Sequence, residues 1–188
     1  MDRRSKLLVV AAVIASAGCS SGQVPVRQAG ASTAGWRGPA QVHDNLAHRL
    51  LAAHNRERSE AGVPPFVWDE GLAASAAAYA PIVARSGGLA HAPASMLQGQ
   101  GENLWMGTRG AFSLEQMVRD WASEKSLFRP GIFPNVSSGG NWGDVGHYTQ
   151  IIWRQTTRVG CAVHQTAQSD FLVCRYSPAG NVIGQRVP

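Results

Sequence analysis

Gly146-His147-Tyr148-Thr149-Gln150-Ile151-Ile152-Trp153 sets four polar side chains directly ahead of an apolar run. Polar groups that close to a core segment are either hydrogen-bonded inside the fold or line a cavity. The run feeds two β-like stretches, 158–163 and 170–176, joined by a polar turn, which is the pattern of an antiparallel hairpin. Cys161 and Cys174 fall one on each stretch.

Upstream, the periodicity is helical. Residues 44–61 place Leu46, Leu50, Ala53 and Glu57 at helical spacing, with Asp44 as the expected N-cap and Gly62 and Pro64-Pro65 as the stop. Phe66-Val67-Trp68 is a short apolar anchor. Asp69 caps a second, alanine-rich helix running to about residue 85 and ended by Gly87-Gly88. Ser113 opens a third helix with Gln116 as its capping-box partner. Residues 129–146 are rich in Gly, Pro, Asn and Ser and form a long loop, the kind of segment that often carries binding function. Helices first and strands last predict an α+β fold rather than a doubly wound sheet. No GxGxxG and no P-loop is present, so nucleotide chemistry has no support.

The 188 residues, 44% hydrophobic and 15% charged, suit one globular domain with a short appendage. The formal charge is +5, of which Arg3, Arg4 and Lys6 against Asp2 supply two, leaving +3 after residue 18. No basic run interleaved with aromatics follows, which argues against a nucleic-acid partner. Those N-terminal charges precede an apolar run, Leu7 to Ala17, too short to span a bilayer. Residues 1–19 therefore read as a signal peptide. It ends in Ser16-Ala17-Gly18-Cys19, similar to a bacterial lipoprotein cleavage site with Cys19 as the lipidated residue, although Ser16 stands where Leu is usual. The alternative is ordinary secretion with cleavage near Ala17. Residues 20–40 form a flexible linker and 41–188 the folded domain. If Cys19 carries lipid, Cys161 and Cys174 remain as a pair, and an oxidising compartment lets that pair persist as a disulfide.

Glu124 is the sharpest chemical signal. Met117, Trp121, Glu124 and Phe128 fall on one helix face, and a carboxylate in an apolar stripe is costly unless it is paired or lines a polar cavity. The alternative is a face that edges into solvent. Glu102 opens a strand-like run, again with a solvated carboxylate as the alternative. His91 and His147 lie in glycine-bearing surroundings, where a structural or surface role competes with ligation. His54 reads as structural, His43 and His164 as surface residues. Two His and two Glu make either a hydrogen-bonded tetrad or a weak metal site, because neutral imidazole binds zinc. No HExxH and no GxSxG is present.

Taken together, His54-Asn55-x-x-Arg58, Gly62-Val63-x-Pro65-x-x-Trp68-Asp69, Gly101-Glu102-Asn103-Leu104, the Gly146 to Trp153 stretch, and Cys174-Arg175-Tyr176-x-Pro178-x-Gly180-Asn181 resemble the CAP superfamily: cysteine-rich secretory proteins, antigen 5 and pathogenesis-related proteins, also called the SCP domain. The likeness runs collinearly over about residues 44–184. It implies a three-layer α-β-α sandwich around a central, mainly antiparallel sheet. It also implies a cavity tetrad of His91, Glu102, Glu124 and His147, with His91 and His147 as zinc ligands; the spacing from His91 to Glu102 is longer than in plant members. The resemblance implies a lipid, sterol or protein partner and establishes no catalytic residue. The expectation is an exported, monomeric binding module, tethered to the bacterial outer membrane or cell surface through Cys19 or else periplasmic or secreted. A metal-dependent hydrolase of peptidase type that uses the same tetrad is the alternative.

Overall fold

β4 (Arg158–Gln165) and β5 (Ser169–Ser177) form the antiparallel hairpin on which the rest of the chain packs. The computed structural model describes residues 39–188, with side chains from residue 45 onward. The segment read as a signal peptide, Cys19 and nearly all of the expected linker lie outside the described residues. β2 (Gly101–Thr108) pairs antiparallel along the other side of β5, from Gly101↔Tyr176 to Thr108↔Ser169. β1 (Val67–Trp68) adds two residues parallel to β4, giving the order β1-β4-β5-β2.

Side chains alternate across a strand, so the sheet has two faces. Leu104, Phe171 and Val173 pack under α2 (Glu70–Ser86). Trp105, Leu172, Cys174 and Tyr176 join the larger core beneath α1 (Pro39–Glu60), α4 (Leu114–Ala122) and α5 (Gly146–Ile151). The result is the α-β-α sandwich, an α+β fold with a mainly antiparallel central sheet. Cys161 and Cys174 are directly opposed in the register and joined by a disulfide with Cα atoms 4.1 Å apart.

Local rules account for much of this. Asp69 caps α2 by accepting from Leu72 N at 2.9 Å, and Gly87 ends it at φ 75°, a left-handed conformation that glycine adopts without strain. Ser113 and Gln116 close a complete capping box on α4. The α2 start sits so tightly on the sheet that a Cβ at Gly160 would collide with Ala73 N and Asp69 O, both backbone atoms. A short helix, α3 (Ala94–Leu97), leads into β2.

Three expectations need correction. Asp44 is not the cap of α1, because the helix begins at Pro39, a residue suited to the first turn. The third helix is not α-helical through Glu124 and Phe128: α4 stops at Ala122 and tightens into a 3₁₀ turn, Ser123–Ser126, whose three-residue repeat keeps Glu124 on the Trp121 side, where both side chains meet His147 of α5. Nor is 129–146 structureless. It contributes β3 (Gly131–Ile132), which pairs with β6 (Arg186–Val187) in a second small sheet, and a 3₁₀ turn at Trp142–Asp144.

Candidate functional site: a histidine-carboxylate cavity at the edge of the sheet

β2 is an edge strand, and its first residues are flanked by the loop after α2 on one face and by α5 on the other. Glu102 points to the α2 side. Its side chain is 2% exposed, so the solvated alternative does not hold. Oε1 accepts from His91 Nδ1 at 2.7 Å and from Ala92 N at 3.0 Å. Tyr79 O–H donates to Ala90 O at 2.8 Å and pins that loop beside the strand, so the longer spacing still brings His91 to Glu102.

Glu124 makes the corresponding pair on the other side. Oε1 accepts from His147 Nδ1 at 2.6 Å, and Oε2 accepts from the backbone N–H of His147 at 2.9 Å and of Tyr148 at 3.0 Å. The last two bonds satisfy the otherwise free N–H groups at the start of α5, which has no cap of its own. The His147 ring lies parallel to Trp121, 6.1 Å between centroids. Asn103 Nδ2 donates to His147 O at 3.1 Å, and Asn181 Nδ2 donates to Gly146 O at 2.8 Å.

A cavity of about 190 Å³ opens between the two pairs, lined by His91, Glu102, Asn103, Trp142, His147 and Asn181. Glu124 stands behind His147, not on the wall. A carboxylate can only accept a hydrogen bond, so in each pair Nδ1 carries the proton and Nε2 keeps its lone pair. Each imidazole is thus held in the tautomer that ligates a metal through Nε2, by an outer carboxylate of the kind that orients metal-binding histidines.

Sequence reasoning gave no role to Arg175. It is fully buried, with Nη2 3.0 Å from Glu102 Oε2 and its guanidinium 5.2 Å from the centre of the Tyr79 ring. The approach is close but poorly aligned: among the described residues none of its three nitrogens makes a hydrogen bond. Burial pulls the Arg175 pKa down, and Glu102 works against that shift. In the sequence Asn103 and Asn181 stand only as letters of two motifs. Nothing local to them announces that their amides hold α5 in place.

His54 is structural, as expected. It is fully buried, donates from Nδ1 to Leu50 O at 2.8 Å and accepts at Nε2 from Tyr176 O–H at 2.9 Å. Burial pushes its pKa down to about 4. A His54 nitrogen and the sulfurs of Cys161 and Cys174 lie within 4.8 Å of one another. The disulfide leaves no thiolate and both His54 nitrogens are engaged, so this cluster is not a metal site.

Residues 51–176 match the sequence model of the CAP, or cysteine-rich secretory protein, family. Pathogenesis-related protein 1B of Nicotiana tabacum is 39% identical over 144 residues, covering 75% of this chain and 80% of that protein. Pathogenesis-related protein 1 of Arabidopsis thaliana is 35% identical over 149 residues, covering 79% and 85%. Among solved structures, the crystal structure of NaASP2 with Zn2+ superposes with a TM-score of 0.65 at 24% identity, over 77% of this chain and 85% of that one. BmVAL-1 superposes at 0.60 with 19% identity, over 82% and 84%. At these identities the structural likeness speaks to the fold.

Proposed function

The chain belongs to the cysteine-rich secretory protein (CAP) family, and from that premise we propose that it is an exported binding module whose cavity takes a divalent cation, zinc foremost, through Nε2 of His91 and His147. One observation carries the reading: both imidazoles line a single cavity, and each gives its Nδ1–H to a carboxylate. The donor chemistry fits the ion. Two neutral imidazoles suit zinc, and two protein ligands leave the remaining positions to water or to a bound partner, as in a weak site. The NaASP2 crystal structure with Zn2+ supports the choice of metal.

Binding is favoured over hydrolysis by the state of the carboxylates. Glu102 is engaged by His91, Ala92 and Arg175, and Glu124 by His147 and Tyr148. Glu102 Oε1 and both oxygens of Glu124 already accept hydrogen bonds from the histidines and the backbone, which suits the carboxylates to orienting the imidazoles rather than to taking a proton from water. Zinc titration by calorimetry on the wild type and on the His91→Ala, His147→Ala double variant tests the proposal. Heat of binding in the wild type and none in the variant is expected. Equal affinity in the two proteins would make the tetrad a structural hydrogen-bond network and would leave the hydrolase alternative without its metal.

We further propose attachment to a bacterial membrane through lipid on Cys19, on the charged, apolar and small-residue order of residues 1–19. Among the described residues no helix is long and apolar enough to cross a membrane. Mass spectrometry of the native N-terminus should find acyl mass on Cys19. An unmodified start near Gly18 would instead show ordinary secretion.

A further inference from the structure

β4 is eight residues long, but β1 covers only its first two, with the pairs Val67↔Arg158 and Trp68↔Val159. The last hydrogen bond on that side runs from Asp69 N to Val159 O at 2.9 Å; beyond it the chain turns away as the cap of α2. Thr157 O and Val159 O both point to β1. Backbone groups alternate sides along a strand, so the N–H and C=O of Cys161 and Val163 face the same way, with no strand beside them among the described residues.

That bare edge is also the floor of a groove of about 340 Å³. Leu46 and Ala47 of α1 form one wall, and Ala74 and Ala77 of α2 form the other. The helices therefore stand above and below the strand edge, as they stand above and below the rest of the sheet. Alanine walls leave the width that a backbone needs. Trp68 closes the end at which β1 stops.

We infer that this groove docks an extended peptide segment of a partner protein, which adds a strand beside β4 in line with β1. The chemistry chooses the occupant. An acyl chain would match the apolar walls but would leave the Cys161 and Val163 backbone groups without partners, at the cost that attaches to buried unpaired N–H and C=O. A peptide strand supplies both: alternate backbone groups pair with the edge, and alternate small apolar side chains enter the groove. The four steps from Cys161 to Gln165 give about 13 Å of edge, room for a strand of roughly four residues. Natural sheets cover or charge such edges, and here helices flank the edge without pairing it.

The test uses the full chain, 15N-labelled, with a fluorescein-labelled heptapeptide of alternating Val and Thr, blocked at both ends. In the free protein, the Val163 amide exchanges with solvent faster than those of Ala162 and His164, which face β5. Added peptide slows exchange at Val163. N-methylation of every second peptide residue, placed on the pairing edge, weakens binding at least about tenfold, the worth of one or two hydrogen bonds. The same methylation on the outer edge leaves binding within about twofold of the parent peptide. Ala77→Trp, at an exposed position, fills the groove and weakens binding at least about tenfold; Ala74→Trp serves if that variant does not fold. Equal loss from the two methylation patterns, no protection at Val163, or binding of dodecanoate at the groove without binding of the peptide would overturn the inference.

Discussion

Arg175 Nη2 lies 3.0 Å from Glu102 Oε2, and the two side chains are 0% and 2% exposed. This is a buried ion pair directly beneath His91. Its two charges are compensated by each other, by the contacts that Glu102 makes to His91 and Ala92, and by the Tyr79 ring beside the guanidinium. Removing one partner of such a pair strands a charge, whereas removing both does not. Arg175→Met should cost about 3–5 kcal/mol in urea unfolding, and adding Glu102→Gln should restore most of it. Equal losses in the single and double variants would mean that packing, not charge, carries the effect.

Among the described residues, Arg58 is buried with no carboxylate partner. Nε donates to Pro64 O at 2.6 Å, Nη1 to Ile151 O at 2.7 Å and Trp153 O at 2.9 Å, and Nη2 to Thr156 O at 3.0 Å. Its guanidinium sits 3.8 Å over the Phe66 ring, and burial lowers its pKa to about 10, still cationic at neutral pH. It ties α1 to the carbonyl end of α5, where a cation is favoured. Lysine keeps the charge but cannot reproduce the fork. Arg58→Lys should destabilise by at least about 3 kcal/mol, from two or more charge-assisted bonds lost, and a shift of under about 1 kcal/mol would refute that account.

His54 supplies a pH dependence. Its pKa is 6.5 unfolded and about 4 folded, because burial disfavours the charged ring. Between those values the unfolded chain holds a proton that the folded chain refuses. His54 therefore contributes fully above about pH 6.5, and the contribution falls as pH drops toward 4, by about 3 kcal/mol at most. The stability difference between wild type and His54→Gln, measured from pH 7 to 4, should shrink across that window. A difference that stays constant with pH would exclude His54 as the titrating group.

The Cys161–Cys174 disulfide closes a short hairpin loop and is buried at both ends. Replacing both cysteines with alanine should lower stability by about 3 kcal/mol on the chain-entropy account. Reduction by dithiothreitol should be slow in native buffer and fast in urea, because the sulfurs are reached only by opening. Thiol counting over time distinguishes this from an accessible bridge, which would reduce at the same rate in both.

Features that depend on a few neighbouring residues were legible in the chain before it folds. Asp69 and Gly87 bound a helix, Ser113 and Gln116 cap another, and Cys161 and Cys174 oppose each other on a hairpin, because each signal acts within one turn or one strand pair. The collinear motifs added the layer order. The pairing of groups far apart in the chain comes instead from packing. Glu124 caps α5 from 23 residues away, out of a 3₁₀ turn that replaces the α-helix after Ala122, and no periodicity shows where a helix will tighten in this way. Arg175 meets Glu102 because register places them opposite each other, on the face that α2 then buries. The cavity and the open edge of β4 likewise arise where layers meet or a strand stops short, and a side chain's surroundings there are set by packing rather than by its neighbours in sequence.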